Sequence, residues 1–400
     1  MSSRPTVVFV FDIPARRGYP NGFSERVLSF INALGECWQV VAVPLATADG
    51  TGMIEPDALV AAVVPIAVAP REGGTPSRLA RRIIDLTVRR LPAMSYPHRL
   101  PELRSIVDTY GAELVVLYGS TLAHLATDAP ESVPLLCAVE EDWSVVTDLS
   151  RWTHGHGRLR RAVVRFLERP GVRTSYRHAG RRAQHVVVIS DAERDRFSRF
   201  APPARISVIP HAVDVSHFAP SGADDRDCDV VIVGDFRQRR TSDPAVRLWR
   251  ASRSHRGNWS GRRWLFVGRG SDDLEIAGEP GVETTGEVPD VGPYYHRARV
   301  AVVPAEVGTG VKTTLLQAWA AAVPVVATPA AAAGTTAVHQ ANALIGDTSA
   351  ALLDHADQLL SDEAMRAELG AAGQRAAEAF QSHDAAAAFT DVCRTTLDAG

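Results

Sequence analysis

The stretch EVGTGVKTTLLQ, residues 306–317, sets two glycines around Thr309, a lysine two residues further on, and then a run that reads as the start of a helix. Lys312 is the only lysine of the chain; the other 42 of the 43 basic side chains are arginine. The apolar run VAVVP (300–304) comes before it, giving the order strand, glycine loop, helix start. Such a loop presents backbone N–H groups and the positive end of a helix dipole to an anion. Gly308 and Gly310 lack the Cβ that would keep a phosphate away. Lys312, expected about one helical turn in, adds a charge-assisted hydrogen bond. Lysine avoidance explains why lysine is scarce but not why the single one stands here. The spacing is not that of a Walker loop. The plainer reading is a strand-to-helix turn that needs small residues beside a lysine stem lying on apolar surface.

A second basic group follows the run VIVG, which ends at Gly234. DFRQRR (235–240) puts Arg237, Arg239 and Arg240 at the carboxyl end of a second strand. Two basic groups at strand ends of one sheet suit a diphosphate; exposed arginines after a turn are the alternative. VGRG (267–270), with Gly268, is a weak signal that a tight turn explains equally well. CAVEEDWSVV (137–146) puts Glu140, Glu141 and Asp142 just past another strand end, where acids can orient hydroxyls or stabilise developing oxocarbenium character. A solvated cluster or a helix N-cap is the alternative. His154 and His156 are spaced i, i+2 in a stretch that does not read as a metal site. Residues 151–182 hold ten arginines and a single acid, Glu168. That pattern fits a solvated helical face or a surface for phosphates or an anionic membrane. Aromatic interleaving is too thin there for a nucleic-acid surface.

These groups need strands and helices to position them. TVVFVF (6–11), WQVVAVPL (38–45), LVVLYG (114–119), PLLCAV (134–139) and HVVVIS (185–190) read as buried parallel strands. The pattern then restarts with CDVVIVG (228–234), RWLFVG (263–268), VETTG (282–286), VAVVP (300–304) and VPVVAT (323–328). Two βαβ series on 400 residues imply two doubly wound α/β domains with ligands at the carboxyl ends of their strands. From about residue 345 the chain is alanine-rich and helical in pattern. The net charge of −3 is too small to mark a nucleic-acid binder. Residues 1–200 carry 25 arginines against 21 acids and residues 201–400 carry 18 basic residues against 25 acids, so the halves are expected to be electrostatically complementary. Cys37, Cys137, Cys228 and Cys393 lie far apart, which argues against a disulfide framework or structural zinc and for a reducing compartment. The start MSSRPTVVFVF has no signal-peptide pattern and no run is long enough for a membrane span. The expectation is a cytoplasmic protein, soluble or peripheral to a membrane through 151–182.

VIVGDF, LFVGRG and TGEVPDVGPYYHRARVAVVPAEVGTGVKTTLLQAWAAAVPVVATPAAAAG together resemble the nucleotide-sugar half of retaining glycosyltransferase family 4, glycosyl transferases group 1. PNGFSERV (20–27) is similar to that family's glycine-rich acceptor-side loop, VVVISDAERDRF (186–197) to its strand-to-helix step, and ISVIPHAVDVSHFAP (206–220) to its interdomain hinge. The resemblance implies the GT-B fold, two Rossmann-like doubly wound domains facing across a cleft. It implies an acceptor domain over 1–214, a nucleotide-sugar domain over 215–385, and a final helix over 386–400 returning to the first domain. It further implies transfer of a sugar from a nucleotide-diphosphate sugar with retention of configuration and with no cofactor and no metal, the helix dipole and basic side chains neutralising the leaving diphosphate. The acceptor would be a small molecule or, given a composition typical of GC-rich bacterial genomes, a cell-envelope component.

Carried over residue by residue, the donor site comprises Gly234, Arg237, Arg239, Arg240, Gly268, Glu287, Val288, Glu306, Gly308, Thr309, Gly310, Val311, Lys312 and Gln317. GEVPDV (286–291) falls where the nucleobase meets backbone groups. Asn21, Gly22, Phe23, Tyr118 and Trp143 fall on the acceptor side, and Glu141, Asp142, Arg239 and Lys312 are the implied catalytic groups. The chain departs from the family in three places. Gln317 stands where a ribose-binding glutamate is usual, Thr309 where the first of the paired glutamates falls, with Glu306 close but out of register, and His211-Ala212 where Asn-Gly is usual. The rival readings are a non-catalytic relative that binds a nucleotide or sugar, marked by Gln317, and a pseudoglycosidic transferase.

Overall fold

The structure is a computed structural model that describes residues 4–12, 15, 22–46, 53–67, 100–139, 173–219, 226–256, 259–307 and 310–399. The chain divides into two compact units, one of residues 1–16, 26–209 and 386–400, the other of residues 17–25 and 210–385.

The strands of the first unit are β1 Thr6–Phe11, β2 Gln39–Ala46, β3 Ala62–Val63, β4 Ile66–Ala67, β5 Leu114–Tyr118, β6 Leu135–Val139, β7 His185–Val188 and β8 Ile206–Val208. They form a sheet in the order β3-β2-β1-β5-β6-β7-β8, with β4 pairing β2. Every pairing is parallel, as near-continuous apolar strands buried on both faces require. Side-chain alternation splits the core into two layers. Val8, Val10, Val115 and Leu117 point into one. Phe9 and Tyr118 point into the other, where the Phe30 ring stacks on Phe389 with centroids 4.2 Å apart and planes at 10°. Phe389 lies on the last helix, Ser382–Asp398, so the chain end is anchored in the core of the first unit.

The second unit has β9 Cys228–Val233, β10 Trp264–Val267, β11 Val282–Thr284, β12 Ala298–Val303, β13 Val325–Ala327 and β14 Leu344–Ile345 in the order β11-β10-β9-β12-β13-β14. All of these pairings are parallel too. Val231, Leu265 and Val303 pack with helix Thr313–Ala320 on one face. Val230, Ile232 and Val302 pack with helices Arg239–Ser252 and Ser349–Ser361 on the other.

The segment 206–220, similar to an interdomain hinge, supplies β8 and then a short helix, Val215–Phe218, capped by Asp214, and the division of the chain into units falls at 209/210 within it. The two-residue strands β3, β4 and β14 were not anticipated, because two residues carry no periodicity. In 186–197 the match to a strand-to-helix step is a reciprocal cap: Ser190 Oγ accepts from Glu193 N at 3.3 Å and Glu193 Oε2 accepts from Ile189 N at 3.2 Å. Lys312 is not one turn into its helix; it is the N-cap residue of Thr313–Ala320, with extended backbone angles of φ −85° and ψ 109°.

Candidate functional site

A doubly wound sheet opens a crevice where neighbouring strands send their connections in opposite directions. In the second unit that point lies between β9 and β12, and both basic groups are there. After β9 come Arg237, Arg239 and Arg240; after β12 come Glu306, Gly310, Val311 and Lys312. Gly308 and Thr309 lie outside the described residues. Lys312 is half-buried, and its carbonyl accepts from Leu315 N at 3.0 Å and Leu316 N at 3.3 Å as the helix begins. The loop is tied down from β13: Thr328 Oγ1 donates to Ala305 O and accepts from Ala331 N. The N–H groups of the first helical turn and the Lys312 side chain thus share one strand end.

The arginines are not equivalent. Arg237 grips the Asp235 carboxylate with Nε and one terminal nitrogen, both at 3.0 Å. Burial pushes the Asp235 carboxyl up, but the hydrogen bond and charge of Arg237, with the charge of Arg269, outweigh it and hold the group below the usual carboxylate value. Arg240 Nε donates to Gln238 Oε1 at 2.7 Å. Arg239 is exposed and forms no ion pair among the described residues, so of the three it has the freest charge for an incoming anion. Arg247, one face further along the same helix, pairs with Glu306. That pair connects the helix after β9 to the loop after β12. A cavity of about 660 Å³ lies beside the arginines, lined by Phe236, Arg237, Arg239, Arg247, Gly270 and Asp273 among others.

Gly234, Gly268 and Glu287 sit at the ends of β9, β10 and β11. Gly268 has φ +122°, and a Cβ there would lie 2.3 Å from the Gly234 carbonyl oxygen, so two strand ends touch backbone to backbone. Gly270 has φ +71°, and a Cβ on it would meet Arg237 Cγ at 2.8 Å. Val288 turns its side chain into the core at 6% exposure, leaving its backbone for any ligand contact. Gln317 is 8% exposed on helix Thr313–Ala320, one turn past Lys312, and lies against Tyr295.

Sequence reasoning missed Arg269. Its side chain is 14% exposed and lies 3.7 Å from Asp235 and 3.8 Å from Glu287, bridging the loops after β9 and β11. An arginine between two glycines at a strand end was the available signal.

In the first unit the corresponding point lies between β1 and β5. There Thr121 donates to Asp12 Oδ2, and a Cβ on Gly119 would sit 3.1 Å from Asp12 Oδ1. Asp12 also escaped the sequence reading, although an acid directly after a strand marks such a position. Tyr118 is a correction. Its ring is 0% exposed between Phe9, Phe30 and Phe389, so it is a core residue and offers no surface to an acceptor. Gly22 and Phe23 fall in the first turn of helix Gly22–Cys37. Asn21, Glu140, Glu141, Asp142 and Trp143 lie outside the described residues. His211 is 3% exposed. Among the described residues no three His, Cys, Asp or Glu side chains form a group that could hold a metal ion.

Residues 227–362 match the family described as glycosyl transferases group 1. The structure is similar to sucrose-phosphate synthase from Thermosynechococcus elongatus, with a TM-score of 0.72 at 17% identity over 99% of this chain and 100% of that one. It is similar to Anabaena Alr3699/HepE in complex with UDP and glucose, with a TM-score of 0.67 at 14% identity over 98% and 100% of the two chains. It is also similar to WaaG, a glycosyltransferase involved in lipopolysaccharide biosynthesis, with a TM-score of 0.64 at 14% identity over 96% and 99%. No curated protein sequence matches the chain. The chain has the GT-B fold, and its segment 227–362 matches the glycosyl transferases group 1 family.

Proposed function

We propose that this protein is a glycosyltransferase that takes a sugar from a nucleotide-diphosphate sugar and transfers it to an acceptor hydroxyl with retention of configuration. The observation that carries the reading is the meeting of two cationic strand ends at the β9/β12 crevice: Lys312 at the start of one helix, Arg239 and its neighbours at the start of another. A departing nucleoside diphosphate develops negative charge as the anomeric C–O bond breaks. Fixed donors already aimed at that charge stabilise the transition state without reorganising. Lys312, the Gly310 backbone and Arg239 would hold the diphosphate. The Arg237–Asp235 and Arg269–Glu287 contacts would keep the neighbouring loops in place. Four of the similar structures contain UDP or UDP-glucose, which favours a uridine nucleotide as the first donor to test.

The resemblance implies acceptor contacts near Asn21, Gly22 and Asp142, and Asp12 would be a further carboxylate at the β1/β5 crevice of the first unit. Gln317 would receive a ribose hydroxyl, more weakly than the carboxylate usual in the family. That neutral residue is also what favours the second reading, a nucleotide-binding protein without transfer.

The test of the main reading is Lys312→Ala. It should weaken nucleoside-diphosphate binding by roughly 1.5–3 kcal/mol, the range for a charged hydrogen bond, and leave folding intact. Unchanged affinity in calorimetry would remove Lys312 from the site. Donor consumption with a panel of hydroxyl acceptors separates transferase from binder. If the wild type turns over no donor and Gln317→Glu creates activity, the chain is a binder.

A further inference from the structure

Tyr295 is 1% exposed, and its hydroxyl oxygen lies 2.9 Å from the Thr314 carbonyl oxygen and 3.4 Å from Gln317 Oε1. A phenol has one proton. Burial pushes the Tyr295 pKa far up, so that proton stays on the ring oxygen. It cannot serve both acceptors, and the shorter contact goes to Thr314. The Tyr295 oxygen then presents only lone pairs to Gln317. Two oxygens facing each other with no proton between them repel. A half-turn about the last side-chain bond relieves that repulsion. The two amide ends are alike in size, and that torsion is two-fold. The NH2 then donates to Tyr295, and the carbonyl oxygen points away from it.

We propose that Tyr295 fixes the Gln317 amide with its NH2 inward and its carbonyl toward the ligand, so that this position accepts a hydrogen bond and selects a group that donates one. This rests on the reading of the second unit as a nucleotide-sugar site, where the donating group is a ribose hydroxyl. A glutamate would have two equivalent oxygens and need no such orientation. The chain thus keeps the acceptor character of a carboxylate with a neutral side chain, and Tyr295 is a positioning residue for it.

The test uses nucleoside diphosphates that differ in one ribose substituent. UDP, ADP, GDP and CDP are screened by calorimetry, and the tightest is compared with its 2′- and 3′-deoxy forms. At whichever position deoxygenation weakens binding more, the O-methyl form is added; it can accept a hydrogen bond but not donate one. In the wild type the O-methyl oxygen should gain nothing over the deoxy form. In Tyr295→Phe the freed amide can turn its NH2 outward, so the O-methyl form should improve relative to the deoxy form by about threefold or more, the order of one neutral hydrogen bond. In a Gln317→Glu background the same tyrosine change should leave that ratio where it was. A purely structural role for Tyr295 would weaken all ligands alike and not move the ratio. If Tyr295→Phe does not fold, wild type and Gln317→Glu are compared directly, and equal ratios are expected. An unchanged ratio in Tyr295→Phe, a lower O-methyl/deoxy affinity ratio in Gln317→Glu than in wild type, or no loss on deoxygenation would each overturn the proposal. If none of the four diphosphates binds, the nucleotide-sugar reading fails and this one falls with it.

Discussion

At the scale of single residues, the second unit depends on glycines that let strand ends approach one another. Gly268 combines φ +122° with a would-be Cβ 2.3 Å from a backbone oxygen, which no side-chain rotation can relieve. Gly268→Ala should therefore destabilise the protein by about 2–4 kcal/mol, the scale of strain at a special backbone position. Chemical denaturation followed by circular dichroism would measure it, and a change under about 0.5 kcal/mol would contradict the geometry. Arg269 is a different case. Its contacts at 3.7 and 3.8 Å are looser than direct hydrogen bonds, so Arg269→Ala should perturb the Asp235–Arg237 loop more than it perturbs folding. The cysteines have no evident part in the chemistry. All four are free, and burial pushes Cys137 up to about 12 and Cys228 up to about 11, so both keep their protons at neutral pH.

At the scale of elements, the last helix is held to the first unit by the stack of Phe389 on Phe30, 4.2 Å apart and buried. Phe389→Ala should cost about 3–5 kcal/mol, the range for deleting a buried aromatic ring. An equilibrium denaturation midpoint that stayed in place would show that the helix docks by other contacts. The basic segment also belongs to this scale. Of its ten arginines those at 151–169 lie outside the described residues, while 173–182 are helical with Arg173, Arg177 and Arg181 exposed. Arg182 instead turns inward to the carbonyls of Pro130 and Val133. No described helix is long and apolar enough to cross a membrane. If the exposed arginines meet an anionic surface, sedimentation with vesicles should require anionic lipid and weaken with added salt. Equal recovery in the supernatant with and without anionic vesicles leaves a solvated face.

At the scale of the whole molecule, stability should fall on mild acidification. Burial, and then the charge of Arg205, lower the pKa of His185 from its ordinary 6.5. Burial, and then the charge of His339, do the same to His355. Between the folded and unfolded values the unfolded chain binds protons that the folded chain does not, so stability rises with pH. The contribution is complete above pH 6.5 and is lost as pH drops below it. A second loss should follow in more acidic solution. There Asp227, held down chiefly by the Arg297 hydrogen bond, and Asp235 must take up protons that break their pairs. Melting temperatures between pH 8 and pH 4 would test this, and His185→Gln should blunt the first step. A flat profile from pH 8 to pH 5 would count against both histidine assignments.

The sequence by itself determined the strands other than β3, β4, β8 and β14 and their grouping into two series, because most are unbroken apolar runs, as parallel strands buried on both faces must be. TVVFVF and CDVVIVG are β1 and β9 to within a residue. It also made the glycines and lone lysine of 306–317 legible after a strand and before a helix, since they are a local pattern. Local pattern did not determine partners. That Glu306 pairs with Arg247, 59 residues away, that Arg269 spans two loops, that Asp12 meets Thr121, and that Tyr118 is core and not surface were decided by which strands became neighbours. The Gln317 environment shows the difference most directly. The residue is legible as a neutral substitute for a carboxylate, but which end of its amide faces outward depends on one proton on Tyr295, 22 residues earlier, brought within reach only by the fold.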